Sequence, residues 1–246
     1  MQPVVGLNLV TRASSRTRTI VTDQSMSQNA PPHRSILLMK LLILGATGAT
    51  GLEVVTQAIE RGHIVTAFVR NPEPLKPFDD RINVIPGNVL HSAELAGVLV
   101  GQETVLSAFG PRLPISKDDA DLLQRFAFAL THGMQKAGVR RVVIESTAFL
   151  FKDAVFPPAH LFGRLFFPGV VRDANEMENT FQKSGLDWTL VRPPQLTNKP
   201  RTGKYRVLEG HLPPFGFNIS RADVADFMIK AGENHASIQK IIGVAH

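Results

Sequence analysis

The run Leu41-Leu42-Ile43-Leu44-Gly45-Ala46-Thr47-Gly48-Ala49-Thr50-Gly51 constrains this chain more than any other stretch. Four apolar residues lead into a turn with a glycine at every third position. A helix-compatible segment, Leu52 to Arg61, follows and stops at Gly62. Strand, glycine turn and helix in that order are the context of a dinucleotide-binding loop. Gly45 allows a sharp exit from the strand. Gly48 lets the backbone approach a pyrophosphate with no Cβ in the way, and Gly51 lets the helix pack close to the strand. The N–H groups and positive dipole end of that helix, over Thr47, Gly48, Ala49 and Thr50, then face the phosphates.

From residue 40 onward the pattern alternates between short β-branched runs and helices. Strands are expected near 40–45, 63–70, 82–89, 104–110, 141–146 and 188–192, with a short strand at 205–208 and a last one at 241–244. Helices are expected near 49–61, from Ser92 to Leu99, over 118–137, over 173–183 and from Ser220 over 221–230. Ser92 and Ser220 are suited to cap the helices they precede. The prolines at 72, 74 and 77 predict a loop with at most a short helix. The stretch 149–168, rich in Phe and Pro, reads as a loop that acts as a lid, a self-association surface or core. The whole predicts an α/β fold: a single-domain, Rossmann-like, doubly wound parallel sheet with helices on both faces. Ligands of such sheets lie at the carboxyl ends of the strands. Those ends are Gly45–Gly51, Arg70, Gly87–Val89, Ala108–Gly110 and Ser146–Phe149.

The 246 residues suffice for one such domain with a sizeable core. No apolar run approaches the ~20 residues of a membrane helix, so membrane spanning is not expected. The chain has no cysteine, which excludes disulfides, thiolate metal sites and a cysteine nucleophile, and fits a reducing cytoplasm. No His-x-x-x-His pair occurs, so no metal is expected. The net charge is +6, and residues 1–38 carry +3 of it through Arg12, Arg16, Arg18 and Arg34 against Asp23. The mild remainder suits an anionic cofactor, and no aromatic-interleaved basic patch points to nucleic acid. Residues 1–38 lack any helical or strand period and read as a disordered extension. Met39 and Met26 are alternative natural starts. Residues 39–246 form the expected NAD(P)-binding domain, which takes a small-molecule substrate as a monomer or small homo-oligomer.

The residue closing the second strand separates the two nicotinamide cofactors. An acid there binds a free ribose 2′-hydroxyl, whereas this chain has Arg70, whose guanidinium pairs with a 2′-phosphate. NADP(H) is therefore expected in preference to NAD(H).

Gly45-Ala46-Thr47-Gly48-Ala49-Thr50-Gly51, Val69-Arg70-Asn71 and Gly87-Asn88-Val89-Leu90 together resemble the atypical short-chain dehydrogenase/reductases with NmrA-like members. The likeness is strongest to the NADPH-dependent flavin reductase/biliverdin-IXβ reductase type. Glu145-Ser146-Thr147-Ala148-Phe149-Leu150, Lys183-Ser184-Gly185-Leu186, Arg192-Pro193-Pro194, Thr202-Gly203-Lys204-Tyr205 and the helix from Ser220 carry that narrower likeness. The resemblance covers about residues 40–230. It implies reduction of flavins or similar planar acceptors by NADPH. It also implies that Thr47–Thr50 and Arg70 hold the phosphates, and that Ala108, Phe109, Gly110, Ser146–Phe149, Pro193 and Gln195 surround the nicotinamide end. Three positions depart from the family pattern. Asn88 stands where an aspartate is usual, Thr147 where a serine is, and Glu178 where the flavin reductase type has a histidine. Asn88 and Val89 remain expected cofactor contacts.

Typical short-chain dehydrogenases move a proton with a tyrosine four residues before a lysine, just past the fifth strand. Here the sole tyrosine is Tyr205, and Glu209 lies four residues on. A carbonyl-reducing mechanism therefore lacks its acid–base pair. Hydride transfer to a flavin needs less: two planar groups stacked in register, with a proton available from solvent. Thr147 is the candidate catalytic hydroxyl, and Phe149 and Phe151 are candidates for the acceptor wall. The alternative role for such a chain is a dinucleotide-sensing regulator without turnover.

Overall fold

In the computed structural model, residues 38–111, 121–152 and 159–246 are described. The expectation for residues 1–38 falls almost wholly outside them. Strand β1 (Lys40–Leu44) runs directly into the glycine turn and helix α1 (Ala49–Glu60). Then follow β2 (Ile64–Val69), β3 (Asn83–Pro86), α2 (Ser92–Leu99), β4 (Thr104–Ser107), α3 (Leu122–Ala137) and β5 (Arg141–Glu145). The second half comprises α4 (Ala159–Phe166), α5 (Pro168–Lys183), β6 (Asp187–Arg192), β7 (Gln195–Thr197), β8 (Arg206–Glu209), β9 (Asn218–Ser220), α6 (Arg221–Glu233) and β10 (Lys240–Ala245).

Eight strands form one sheet in the order β3-β2-β1-β4-β5-β6-β10-β8. Every pairing is parallel except that of the edge strand β8, which runs antiparallel to β10. Side chains alternate across the sheet, as strand geometry requires. Leu42 and Leu44 enter one core with α2, α3 and α5, while Leu41 and Ile43 enter another with α1 and α6. The doubly wound arrangement expected from the alternating pattern is thus present, with both sheet faces covered.

Caps fix the helices that border the site. Ser220 Oγ accepts the Asp223 N–H at 3.0 Å and starts α6, as its position predicts. Ser92 differs: His91 holds the cap position of α2 and Ser92 is the first helical residue. The carboxylate of Asp173 on α5 accepts the N–H groups of Leu123 and Gln124, which caps α3 across the interface and locks the two helices together. The Phe-rich stretch is not a continuous loop. It holds a 3₁₀ turn (Ala148–Leu150) and α4, and Pro168 opens α5 five residues before the expected start. Proline is well placed at a helix start because its missing N–H has no partner there. The short β7–β9 pair also escapes the sequence pattern, since three-residue strands carry too little periodicity to register.

Candidate functional site

The carboxyl ends of the strands are sewn into one edge by backbone hydrogen bonds. Ala108 N–H donates to Leu44 O at 3.0 Å, Ser146 N–H to Val191 O at 2.7 Å, and Gly87 N–H to Val69 O at 2.9 Å. Ala148 N–H donates to Pro193 O at 3.0 Å. These strand-end segments therefore lie side by side along the edge.

At the centre of that edge lies the glycine turn. Gly45 has φ +73°, and a Cβ there would fall 2.5 Å from the Ala108 carbonyl oxygen. At Gly51 a Cβ would lie 2.1 Å from the Gly45 carbonyl oxygen. Both glycines are thus demanded by backbone packing within the protein. Gly48 is different: it is exposed, caps α1 with no side chain, and its N–H closes the turn to Gly45 O at 2.9 Å. The first-turn amides of α1 have no side-chain cap, which leaves them for an anion. A cradle of this shape fits a dinucleotide pyrophosphate, with Thr47, Gly48, Ala49 and Thr50 around it. Arg70 follows β2 on the same edge and is exposed, with no ion pair among the described residues.

Asn88 and Val89 follow β3. Val89 is buried in the core, so only its backbone reaches the edge. The Asn88 carboxamide oxygen accepts the Leu90 N–H at 3.1 Å, and its backbone N–H donates to Glu94 at 2.8 Å. That hydrogen bond and one from His91 hold the Glu94 carboxyl below its ordinary value. Gly87 is required here because a Cβ would strike the Phe68 ring at 2.1 Å. Phe109 is half-buried and packs on Phe126, with ring centroids 4.7 Å apart. Gly110 and Gln195 are exposed, and Pro193 is buried.

The exit of β5 carries the most polar chemistry. Glu145, its last residue, accepts the Thr50 hydroxyl of α1 at 3.3 Å. Burial pushes the Glu145 carboxyl up to about 7, against that hydrogen bond and the Arg221 charge. Ser146, one residue on, turns to the opposite face and donates to Glu178 Oε1 at 2.6 Å. Glu178, 2% exposed, accepts two N–H groups from one guanidinium edge of Arg192, Nε at 3.0 Å from Oε1 and Nη2 against Oε2. Thr147 accepts the Phe149 N–H at 3.3 Å and caps the 3₁₀ turn. It lies two residues past the end of β5, with part of its hydroxyl capacity used by the turn.

Of the two aromatic candidates, Phe151 needs correction. Phe151 is 1% exposed in an apolar cluster with Ala148, Leu212 and Ala245, and the Arg192 guanidinium sits 4.7 Å over its ring. It supports the ion pair from below and presents no wall to a ligand. Phe149 is half-buried and holds α4. Its carbonyl lies 2.8 Å from His160 Nδ1, Gly163 is so close that a Cβ would meet the ring at 2.6 Å, and the Phe167 ring stacks on it at 5.9 Å. Sequence reading missed the Ser146–Glu178–Arg192 unit as such. Its one signal was Arg192, a charged residue closing the largely apolar run Leu190-Val191 of β6.

Residues 45–235 match the family model described as NAD(P)H-binding. The chain belongs to that NAD(P)H-binding family. An uncharacterized chloroplastic protein of Arabidopsis thaliana is 29% identical over 83% of this chain and 76% of its own length. A short-chain dehydrogenase/reductase of wide type from Veillonella parvula, solved with NADP, superposes with a TM-score of 0.71 at 20% identity, over 85% of this chain and 95% of that one. An anaerobillin reductase from Escherichia coli O157:H7 gives 0.67 at 20% identity, over 83% and 96%. At those identities the structural likeness establishes the Rossmann fold.

Among the described residues no group of three or more His, Asp or Glu side chains could hold a metal ion, and no helix is long and apolar enough to cross a membrane.

Proposed function

We propose that this NAD(P)H-binding protein is a reductase that passes hydride from NADPH to a flavin or a related planar conjugated acceptor. One observation carries the proposal. The helix bordering the cleft, α5, offers no Tyr–Lys pair, and the buried Glu178–Arg192 pair holds Ser146 in its place. Such a site orients ligands but lacks a tuned proton donor for a ketone, so it suits acceptors that are intrinsically easy to reduce. The nicotinamide, when bound, supplies the hydride. The chain's own part is to hold the phosphates on the α1 amides and Arg70, to position the ring beside Ser146 and Thr147, and to bound the cleft with α4. The anaerobillin reductase among the structural neighbours supports a planar acceptor, and the NADP complex among them supports NADPH.

Absence of cysteine supports a reducing compartment, and we place the protein in the cytoplasm. The chloroplastic relative makes an organellar location the contrary result of cell fractionation. The test of function follows NADPH absorbance with FMN, riboflavin and quinones. Consumption with at least one of them supports a reductase. Tight NADPH binding with no consumption supports a dinucleotide sensor. The mutual engagement of Ser146, Glu178 and Arg192, with the serine proton already given to Glu178, is what a sensor would show.

A further inference from the structure

The Ser146 hydroxyl has a fixed polarity. Its proton is given to Glu178 Oε1 at 2.6 Å, and that oxygen also accepts Arg192 Nε at 3.0 Å. A carboxylate saturated by a guanidinium has only lone pairs to offer, so Ser146 cannot reverse the bond and accept from it. Ser146 N–H is fixed as well, donating to Val191 O at 2.7 Å. The unit is rigid because Glu178 and Arg192 are buried, and because the guanidinium rests on the Phe151 ring. Ser146 itself remains partly exposed at the strand edge. What it shows the cleft is oxygen lone pairs alone.

We infer that Ser146 is an obligate hydrogen-bond acceptor in the cleft and selects a ligand that presents an N–H there, with Glu178 as the positioning residue that sets this polarity. The inference rests on the dinucleotide site proposed above and adds to it the chemistry recognised at one atom. Two ligand groups have that chemistry. One is the carboxamide N–H of the nicotinamide. The other is the ring imide N–H of a flavin-like acceptor. A ligand carrying a methyl group or a carbonyl at that position leaves the buried-edge lone pair unmatched, and a site built for an N–H rejects such analogues.

The experiment titrates the full chain by calorimetry with NADP+ and with its 3-acetylpyridine analogue, which replaces the carboxamide NH2 by a methyl group. A parallel arm compares the binding of FMN and N3-methyl FMN to the NADP+-loaded protein. The expected result is a roughly 10-fold preference for the N–H-bearing member of one pair, the size of one well-made hydrogen bond. That preference should vanish in Ser146→Ala, with the other pair undiscriminated. The pair that discriminates identifies the source of the N–H. Glu178→Gln tests the positioning role. In either orientation its amide NH2 meets an Arg192 N–H, so the grip that fixes the serine proton is loosened. The hydroxyl gains freedom to donate to the ligand, and the preference should fall although the side chain keeps its size. A defect of packing alone would weaken both members of a pair equally. Indifference of the wild-type protein in both arms, or a preference that survives Ser146→Ala, overturns the inference while the dinucleotide site stands. Failure of NADP+ and NADPH to bind overturns both.

Discussion

Gly51 packs so tightly on Gly45 that a Cβ on the first would lie 2.1 Å from the carbonyl oxygen of the second. Backbone atoms cannot yield as a flexible side chain does. Gly51→Ala should therefore lower stability by at least ~3 kcal/mol, read as a fall in the urea midpoint, and should remove NADPH binding. Gly97→Ala is the contrast. It lies inside α2, where a Cβ would meet nothing within 4 Å, and should raise stability by roughly 0.5–1 kcal/mol. Equal destabilisation by both would contradict this packing argument.

Removing one partner of the buried Glu178–Arg192 pair strands the other. Glu178→Ala should cost about 3–5 kcal/mol by denaturant unfolding. Replacing both by methionine should recover most of that loss, because the desolvation penalty goes with the charges. A double variant no more stable than the single one would show that the loss comes from packing and not from the stranded charge.

The raised Glu145 carboxyl makes stability depend on pH in a stated direction. Its folded value is about 7 against an ordinary 4.5, so between those values the folded protein binds the proton and the unfolded chain has lost it. Stability should decline as pH rises through that window, by on the order of 3 kcal/mol at most. Glu145→Gln should flatten this slope and leave the protein more stable than wild type at pH 8. An unchanged slope would rule out Glu145 as its source.

Asp223 works in the opposite sense. Burial acts to raise its carboxyl, but hydrogen bonds from Ser220, the Gly203 N–H, His246 and the Thr202 N–H hold it down at about 2. Its contribution is complete above the ordinary value of 3.8 and is lost as pH falls through about 2. Asp223→Asn should raise the pH of acid unfolding and free the 202–204 turn, read as faster amide exchange there. Unaltered acid unfolding would contradict the assignment.

Arg70 is the expected phosphate clamp. Arg70→Ala should weaken NADPH binding roughly 10- to 100-fold while NADH binding stays within about 2-fold. Equal losses for both would place Arg70 away from the 2′-phosphate.

The sheet was legible in the sequence because its central strands are continuous apolar runs, such as Leu41–Leu44 and Val142–Ile144, buried on both faces. The glycine turn was legible from its spacing, and Gly45 and Gly51 each have a steric cause in the backbone they pack against. Helix α4 was not, since its two aromatic neighbours, its glycine and the flanking prolines all read as loop. Gly163 and His160 in fact dock it on Phe149. Phe151 was misplaced because an aromatic past a strand end looks the same whether it faces ligand or core. The polarity of Ser146 lay beyond the sequence altogether, since it depends on Glu178 and Arg192, 32 and 46 positions away along the chain.

The central claim is hydride transfer from NADPH to a planar acceptor. Absorbance of reduced nicotinamide, followed with NADPH and NADH in parallel and with and without FMN, tests it most directly. Flavin-dependent loss of the NADPH signal, slower with NADH, is the predicted result. NADPH that binds tightly yet stays reduced with FMN and every other flavin, quinone or tetrapyrrole offered would contradict it.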